Sequence, residues 1–423
     1  MQATLRTLSR TSNLFCHGHG RLHPIDPSRR RLHTITIPAL HDLRVPAVWL
    51  RDACQCPQCV HPSTKQKLHR TSDFVNVQPV GGPAGVEVDR VNGEVRVKWE
   101  SEGKEGVHES VYQSEWLETF REERKAMEKH SGTDFERVPW SAHQMRESGT
   151  LFVPYDDLVH PEGVLTAIEQ LLRYGLLFVS GVPHQDTSGK GIEDLAAKFG
   201  EIRETFYGRT WDVRSVKQSR NIAYTSLELG MHMDLLYFEH PPRLQILHCL
   251  RNRVKGGQSL FLDALHAANQ LRTADPHAFD VLANTPVPFQ YVNDGHHLRY
   301  SHPTIELAPT YSNSASESEI AYINYSPPFQ APLPLVTPPS FYTSLRAFTH
   351  LIDDPANTFE YTLAEGDAVI FDNRRVLHAR RAFEAGEEGG EGETRRWLKG
   401  CYLEADAVLD RGRVWRERVG EVR

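Results

Sequence analysis

Apolar positions along the chain change period several times, and the changes mark out its elements. Val86 and Val88 alternate with polar neighbours, Asn92-Gly93 supplies a turn, and Val95, Val97 and Trp99 alternate again, which predicts a two-strand hairpin. Val164, Leu165, Ile168, Leu171 and Leu172 recur at helical spacing, and the apolar strand Leu176-Leu177-Phe178-Val179 follows. Ile192, Leu195, Ala196 and Phe199 predict a second helix, and Phe341, Leu345, Phe348 and Ile352 a third. The run Leu244 to Leu250 reads as a strand, and Gly366 to His378 as a turn, a buried strand and a short loop ending on the histidine. Many short strands with a few flanking helices predict a mainly β fold, a jelly-roll barrel with its site in the mouth.

Composition narrows the class. A chain of 423 residues, 39% hydrophobic and 24% charged, is long enough for two domains with well-filled cores. A net charge of −7 argues against nucleic acid as a partner, because phosphate binding needs a basic footprint, and no apolar run is long enough to span a membrane. Residues 1–32 differ from the rest: no acidic residue precedes Asp26, and arginines are interleaved with Ser and Thr. That pattern predicts a mitochondrial transit peptide, the alternative being a disordered basic tail in a cytoplasmic protein. Segments 312–319 and 387–393, rich in Ser, Glu and Gly, read as mobile.

The six cysteines do not form a disulfide framework, which predicts a reducing compartment. Three of them, Cys54, Cys56 and Cys59, fall within six residues and look like three of four zinc ligands on a tight loop. His61 and His69 are near in sequence, but His108 is the better fourth ligand, since the hairpin between it and the cysteines returns the chain. A site with four protein ligands is closed, so this zinc would be structural. The chain then divides into a small zinc-binding β domain over 33–125, a charged linker over 126–149 and a catalytic domain over 150–423.

His232-Met233-Asp234, with His378 far downstream, has the spacing of a two-histidine, one-carboxylate iron site, which leaves coordination positions open for a cosubstrate and O2. On a strand the i and i+2 side chains share a face, so both ligands can meet one metal while Met233 turns away. A second copy, His184-Gln185-Asp186, lies among turn formers and helix caps and reads as a solvated loop.

Trp49-Leu50-Arg51-Asp52 with the cysteine cluster, Phe206 to Trp211, His232-Met233-Asp234, His240-Pro241-Pro242 and Phe371-Asp372-Asn373 with His378 together resemble the γ-butyrobetaine dioxygenase and trimethyllysine dioxygenase family. The resemblance covers nearly all of the chain beyond its N-terminal tail. It implies a double-stranded β-helix catalytic domain, zinc on Cys54, Cys56, Cys59 and His108, a homodimer, and Fe(II)- and 2-oxoglutarate-dependent hydroxylation supported by ascorbate. It implies that Arg396 pairs with the far carboxylate of 2-oxoglutarate, with Arg395 as the neighbouring alternative and Ser259 beside the same group. Arginine suits that task because its planar fork binds a carboxylate bidentately. Tyr207, Trp211 and Tyr224 correspond to an aromatic cage for a trimethylammonium group, with Tyr402 a plausible fourth wall. Asn221 fits the butyrobetaine enzymes, whereas Leu235 and Ser326 depart from polar residues those enzymes carry. The substrate expected is γ-butyrobetaine, with trimethyllysine or another betaine as the alternative. A different class remains, an interaction protein with an inactive barrel.

Overall fold

The computed structural model describes residues 33–100, 106–121, 135–214, 225–308, 318–384 and 395–421. The expected transit segment, Asn221 and Tyr224, and most of the two expected mobile segments lie outside the described residues. The chain divides into two compact units, Met1–His130 and Ser131–Arg423.

In the first unit, β1 (Thr34–Ile37) pairs antiparallel with β2 (Leu43–Pro46), and the short helix α1 (Ala47–Asp52) follows. The hairpin read from the sequence is β3 (Val86–Asp89) and β4 (Glu94–Trp99), extended by β5 (His108–Gln113) into a three-stranded meander that ends in α2 (Ser114–Glu118). Its turn is set by Gly93 at φ +65° and by the Asp89 carboxylate, which accepts the Val91 and Asn92 N–H groups. Val95, Val97, Trp99 and Tyr112 bury one face against Ile35, Ile37, Val45, Leu50 and Leu117. The Tyr112 hydroxyl donates to the Leu50 carbonyl, tying the meander to α1.

The second unit is two facing sheets. The larger one contains β6 (Phe152–Pro154), β7 (Leu176–Ser180), β8 (Ile202–Arg203), β9 (Trp211–Arg214), β11 (Leu244–Asn252), β18 (Ala368–Asp372) and β20 (Arg396–Leu403), in the order β6-β7-β18-β11-β20-β8 with β9 also on β20. The smaller contains β10 (Leu229–His232), β12 (Ser259–Asp263), β17 (Thr358–Tyr361) and β19 (Val376–Arg380), in the order β10-β19-β12-β17. All pairings in both are antiparallel except β6 with β7. This is a double-stranded β-helix with helices packed around it.

The larger sheet is buried on both faces, which is why its strands read as continuous apolar runs rather than alternating ones. Leu177, Val179, Ile246, Ile370, Cys401 and Leu403 point outward to α3 (Pro161–Tyr174), α4 (Lys190–Phe199) and α8 (Ala405–Glu421). Leu176, Phe178, Val369, Phe371 and Leu398 point inward, where Phe178 meets Phe261 of the smaller sheet edge-on at 5.6 Å between centroids. These rings plug one end of the sandwich and leave the other for a site. A third cluster packs α5 (Ala264–Ala274), α6 (Pro276–Asn284) and α7 (Pro339–Ile352) with the hairpin β13 (Pro286–Asn293) and β14 (His296–Pro303) and the pair β15 (Ile305–Leu307) and β16 (Ile320–Ile323) beneath Met233, Leu236 and Tyr237.

Two differences from the sequence reading follow. Phe135, Trp140 and Met145, within the expected linker, are buried in the cores of the second unit, so that unit begins before residue 150. The segment after β18 is a tight turn rather than a loop ending at His378. Arg375 in that turn is buried and pairs with buried Asp263 at 2.8 Å, while donating to the Arg173 carbonyl at 2.7 Å. The Asp263 carboxylate also accepts the Leu265 and Trp140 N–H groups, so one ion pair joins β12, α5 and the β18–β19 turn.

Candidate active site and metal centres

The zinc-type cluster is built by the end of α1 and the start of β5. The chain leaving α1 doubles back, with Cys59 N–H and Val60 N–H both donating to the Cys56 carbonyl at 2.9 Å, which turns three sulfurs to one side. His108 opens β5 opposite Trp99, so the hairpin register carries its ring to the sulfurs. His108 Nε2 lies 3.4, 3.8 and 3.6 Å from the sulfurs of Cys54, Cys56 and Cys59. Tetrahedral zinc with Zn–S of about 2.3 Å and Zn–N of about 2.05 Å requires S···N of about 3.6 Å, and the four donors fit it. Burial pushes the Cys59 thiol up to about 12 and holds His108 below its ordinary value, so a bound divalent cation displaces thiol protons. Arg51, buried, donates to Cys59 Sγ at 3.1 Å and offsets thiolate charge. His61 and His69 are occupied elsewhere: the His61 ring accepts backbone N–H groups of Ser63 and Thr64, and His69 Nε2 lies 3.2 Å from the Asp52 carboxylate.

The second cluster lies between the two sheets. His232 closes β10 and His378 sits mid-strand in β19, directly opposite in register with ring centroids 4.1 Å apart. Asp234 lies just past the strand end rather than on it. Leu235 takes φ +62°, a left-handed conformation uncommon outside glycine, and turns the chain sharply after the carboxylate. Asn373 holds this bend, its Oδ1 accepting the Asp234 N–H at 2.8 Å and its Nδ2 donating to the carbonyls of Asp234 and Pro242 at 3.0 Å. Asp234 Oδ1 is 3.6 Å from His232 Nε2, and Oδ2 is 3.9 Å from His378 Nε2. His232 Nδ1 lies 2.9 Å from the Gly230 carbonyl, which fixes Nε2 as the ligating nitrogen.

The electrostatics suit a divalent cation. Burial opposes ionisation of Asp234, but the adjacent imidazoles of His232 and His378 hold its carboxyl well below the usual range. Burial, aided by His232, pushes His378 down to about 3, keeping it the neutral imidazole that binds metal. These three residues and the four above are the metal-capable groups found among the described residues. His184-Gln185-Asp186 lies on a surface loop, where Asp186 is exposed and accepts the Ser188 N–H at 2.8 Å.

Arg396 and Ser259 line the same cavity as the triad, whereas Arg395 is absent from its described lining. Arg396 opens β20 and is buried, with Nη2 3.4 Å from the Gly257 carbonyl and Nε meeting no acceptor among the described residues. A Cβ at Gly257 would lie 3.2 Å from that guanidinium, so glycine there leaves it room. Burial, then the like charge of Arg380, lowers Arg396 to about 10, still cationic at neutral pH. Arg380 gives its Nη2 to the Thr225 and Leu227 carbonyls at 2.7 and 2.6 Å, whereas Arg396, with no carboxylate but Asp234 among the described cavity residues, suits an anionic ligand group. Arg380 went unread in the sequence, although its position two residues after His378 puts it on the same face of the strand.

Tyr207, Trp211 and Tyr402 line the chamber. Trp211 lies flat over Gly400, where a Cβ would come within 2.5 Å of its ring, and its centroid is 4.3 Å from that of Tyr402 and 6.2 Å from that of Tyr207. Leu235 lines the chamber, as do Tyr237 and Phe329, which no local pattern had marked. Ser326 is buried and is not among the lining residues.

Residues 141–402 match the family described as taurine catabolism dioxygenase TauD, TfdA, and residues 28–118 match the gamma-butyrobetaine hydroxylase-like N-terminal family. The chain is 49% identical over 408 residues to dioxygenase str8 of Strobilurus tenacellus, covering 94% of this chain and 92% of that protein. It is 30% identical over 387 residues to gamma-butyrobetaine dioxygenase of Homo sapiens, covering 88% and 92%. It is 29% identical over 377 residues to the mitochondrial trimethyllysine dioxygenase of Bos taurus, covering 88% and 83%.

Proposed function

The chain belongs to the TauD, TfdA family of iron- and 2-oxoglutarate-dependent dioxygenases, and from that premise we propose that it hydroxylates an unactivated C–H bond of a trimethylammonium carboxylate, γ-butyrobetaine first, to give L-carnitine. The observation that carries this reading is the convergence, in one cavity, of the His232, Asp234 and His378 donors, a buried guanidinium at Arg396 and the aromatic faces of Tyr207, Trp211 and Tyr402.

In this reading His232, Asp234 and His378 hold Fe(II), which with 2-oxoglutarate supplies the oxidising power for C–H hydroxylation once O2 is present. Arg396 binds the far carboxylate of the cosubstrate and Ser259 donates beside it. The aromatic faces attract a quaternary ammonium, each contact worth up to about 2 kcal/mol when desolvated, and exclude water from the reacting carbon. By the family resemblance alone, Asn221 and Tyr224 would serve the substrate end, Asn221 as a donor to the carboxylate. The cysteine cluster holds a structural zinc. By their arginine-rich, acid-poor composition residues 1–32 direct import into mitochondria, and by the family resemblance the chain assembles as a homodimer. A fluorescent fusion of that segment that stays cytosolic, or a monomeric mass in solution, would overturn these two points.

A second reading has its own support. Among the described residues lining the chamber, the charged ones are Asp234, assigned to the metal, Arg396, assigned to the cosubstrate, and Arg380, which donates to the Thr225 and Leu227 carbonyls, while Leu229, Leu235, Pro328 and Phe329 are apolar. That lining favours a substrate neutral and apolar around the reacting carbon. Anaerobic loading with Fe(II) and 2-oxoglutarate, then O2 with γ-butyrobetaine, trimethyllysine or an uncharged apolar compound of similar size, separates the readings. Turnover of γ-butyrobetaine to carnitine supports the first. Succinate formation stimulated by the uncharged compound alone supports the second.

A further inference from the structure

We infer that Tyr402 is a positioning residue that ties the substrate chamber to the metal carboxylate. The inference rests on the assignment of His232, Asp234 and His378 to iron. Tyr402 lies on β20, in the sheet opposite the two histidines, and its hydroxyl donates to Asp234 Oδ2 at 3.2 Å. Asp234 is therefore gripped twice, through its backbone by Asn373 and through its side chain by Tyr402. The bond fixes the rotation of the carboxylate, whose Oδ1 lies 3.6 Å from His232 Nε2 and whose Oδ2 lies 3.9 Å from His378 Nε2, so both oxygens are held facing the histidines.

The other side of the same ring faces the chamber. Tyr402 is buried and packs on Trp211 at 4.3 Å, so the wall that would receive the substrate is in direct contact with the group that orients the iron ligand. A phenol suits both tasks, because it offers an apolar face and a single polar tip.

Tyr402→Phe keeps the wall and removes the tip. Anaerobic titration of the metal-free protein with Fe(II) at fixed 2-oxoglutarate, read by the visible charge-transfer absorbance, gives the iron affinity without turnover. Tyr402→Phe should weaken it by roughly tenfold to a hundredfold, the usual effect of losing a hydrogen bond behind a ligand. Substrate affinity at saturating iron should change little. Trp211→Ala should show the reverse, weaker substrate and unchanged iron. Zinc content and melting of the metal-free proteins check that each variant keeps its fold. Unchanged iron affinity in Tyr402→Phe, or equal loss of iron in Trp211→Ala, overturns the inference while leaving the site assignment standing. A wild-type chain that binds no Fe(II) overturns both.

Discussion

At the cysteine cluster the protein supplies every ligand, whereas at the His232, Asp234 and His378 cluster it supplies three and the remaining space opens onto a lined cavity. The first is anchored in a unit whose core is small, with Arg51 balancing its charge and a hairpin delivering its last ligand. The second sits between two sheets already held by three apolar clusters, so the metal there is free to serve chemistry instead of folding. Histidine belongs to both sets. What separates a closed site from an open one is the count of protein donors and what surrounds the remaining directions.

The largest effects should fall at the open site. His232→Ala, Asp234→Ala or His378→Ala should abolish iron-dependent succinate formation with little change in the melting curve, because each removes one of three protein bonds to the metal. His184→Ala should leave activity intact. Near-normal turnover in His378→Ala would break the comparison.

The closed site should respond in the opposite sense. Cys54→Ser or Cys59→Ser should release about one zinc per chain, measured by elemental analysis, and unfold the N-terminal unit, since binding free energy at a closed site is folding free energy. A variant that loses zinc yet keeps the near-ultraviolet signature of Trp99 would contradict this.

A pair that holds no metal provides the scale between them. Arg375→Met leaves Asp263 buried and uncompensated, and should cost about 3–5 kcal/mol in denaturant unfolding. A cost below about 1 kcal/mol, the range of a surface pair, would show that the pair does not bind the sheet to α5.

The smallest effect concerns a histidine in neither cluster. His248 on β11 is buried, and burial pushes it down to about 4 from an ordinary 6.5. Its folded value lies below its unfolded one, so the unfolded chain takes up the proton first. The stability that neutral His248 contributes is complete above about pH 6.5 and is lost as pH falls towards 4, amounting to about 3 kcal/mol. His248→Leu should flatten the fall in melting temperature over that window, and an unchanged slope would contradict it.

Much of this was legible before any coordinates, for reasons particular residues show. The hairpin from Val86 to Trp99 followed from strict alternation around Asn92-Gly93, and that hairpin is what made His108 a better fourth ligand than His61 or His69. Strands buried on both faces showed as runs such as Leu176 to Val179. Periodicity could not show where a strand stops: β10 ends at His232, and the position of Asp234 depends on the left-handed Leu235 and on Asn373, 139 residues away. It could not rank buried arginines either. Arg380 and Arg375 look like part of an ordinary basic run until the fold buries one beside Arg396 and the other against Asp263. Phe329 and Tyr237 line the chamber through long-range packing that leaves no local pattern.

The central claim is that one chain carries a closed structural centre and an open catalytic one, and metal exchange tests it most directly. Mild chelation of the purified protein, followed by elemental analysis, circular dichroism and 2-oxoglutarate decarboxylation, separates the two. The account predicts that iron leaves while about one zinc per chain and the folded spectrum remain, that decarboxylation stops, and that Fe(II) alone restores it. Loss of activity that follows zinc rather than iron, or decarboxylation that persists without iron, would contradict it.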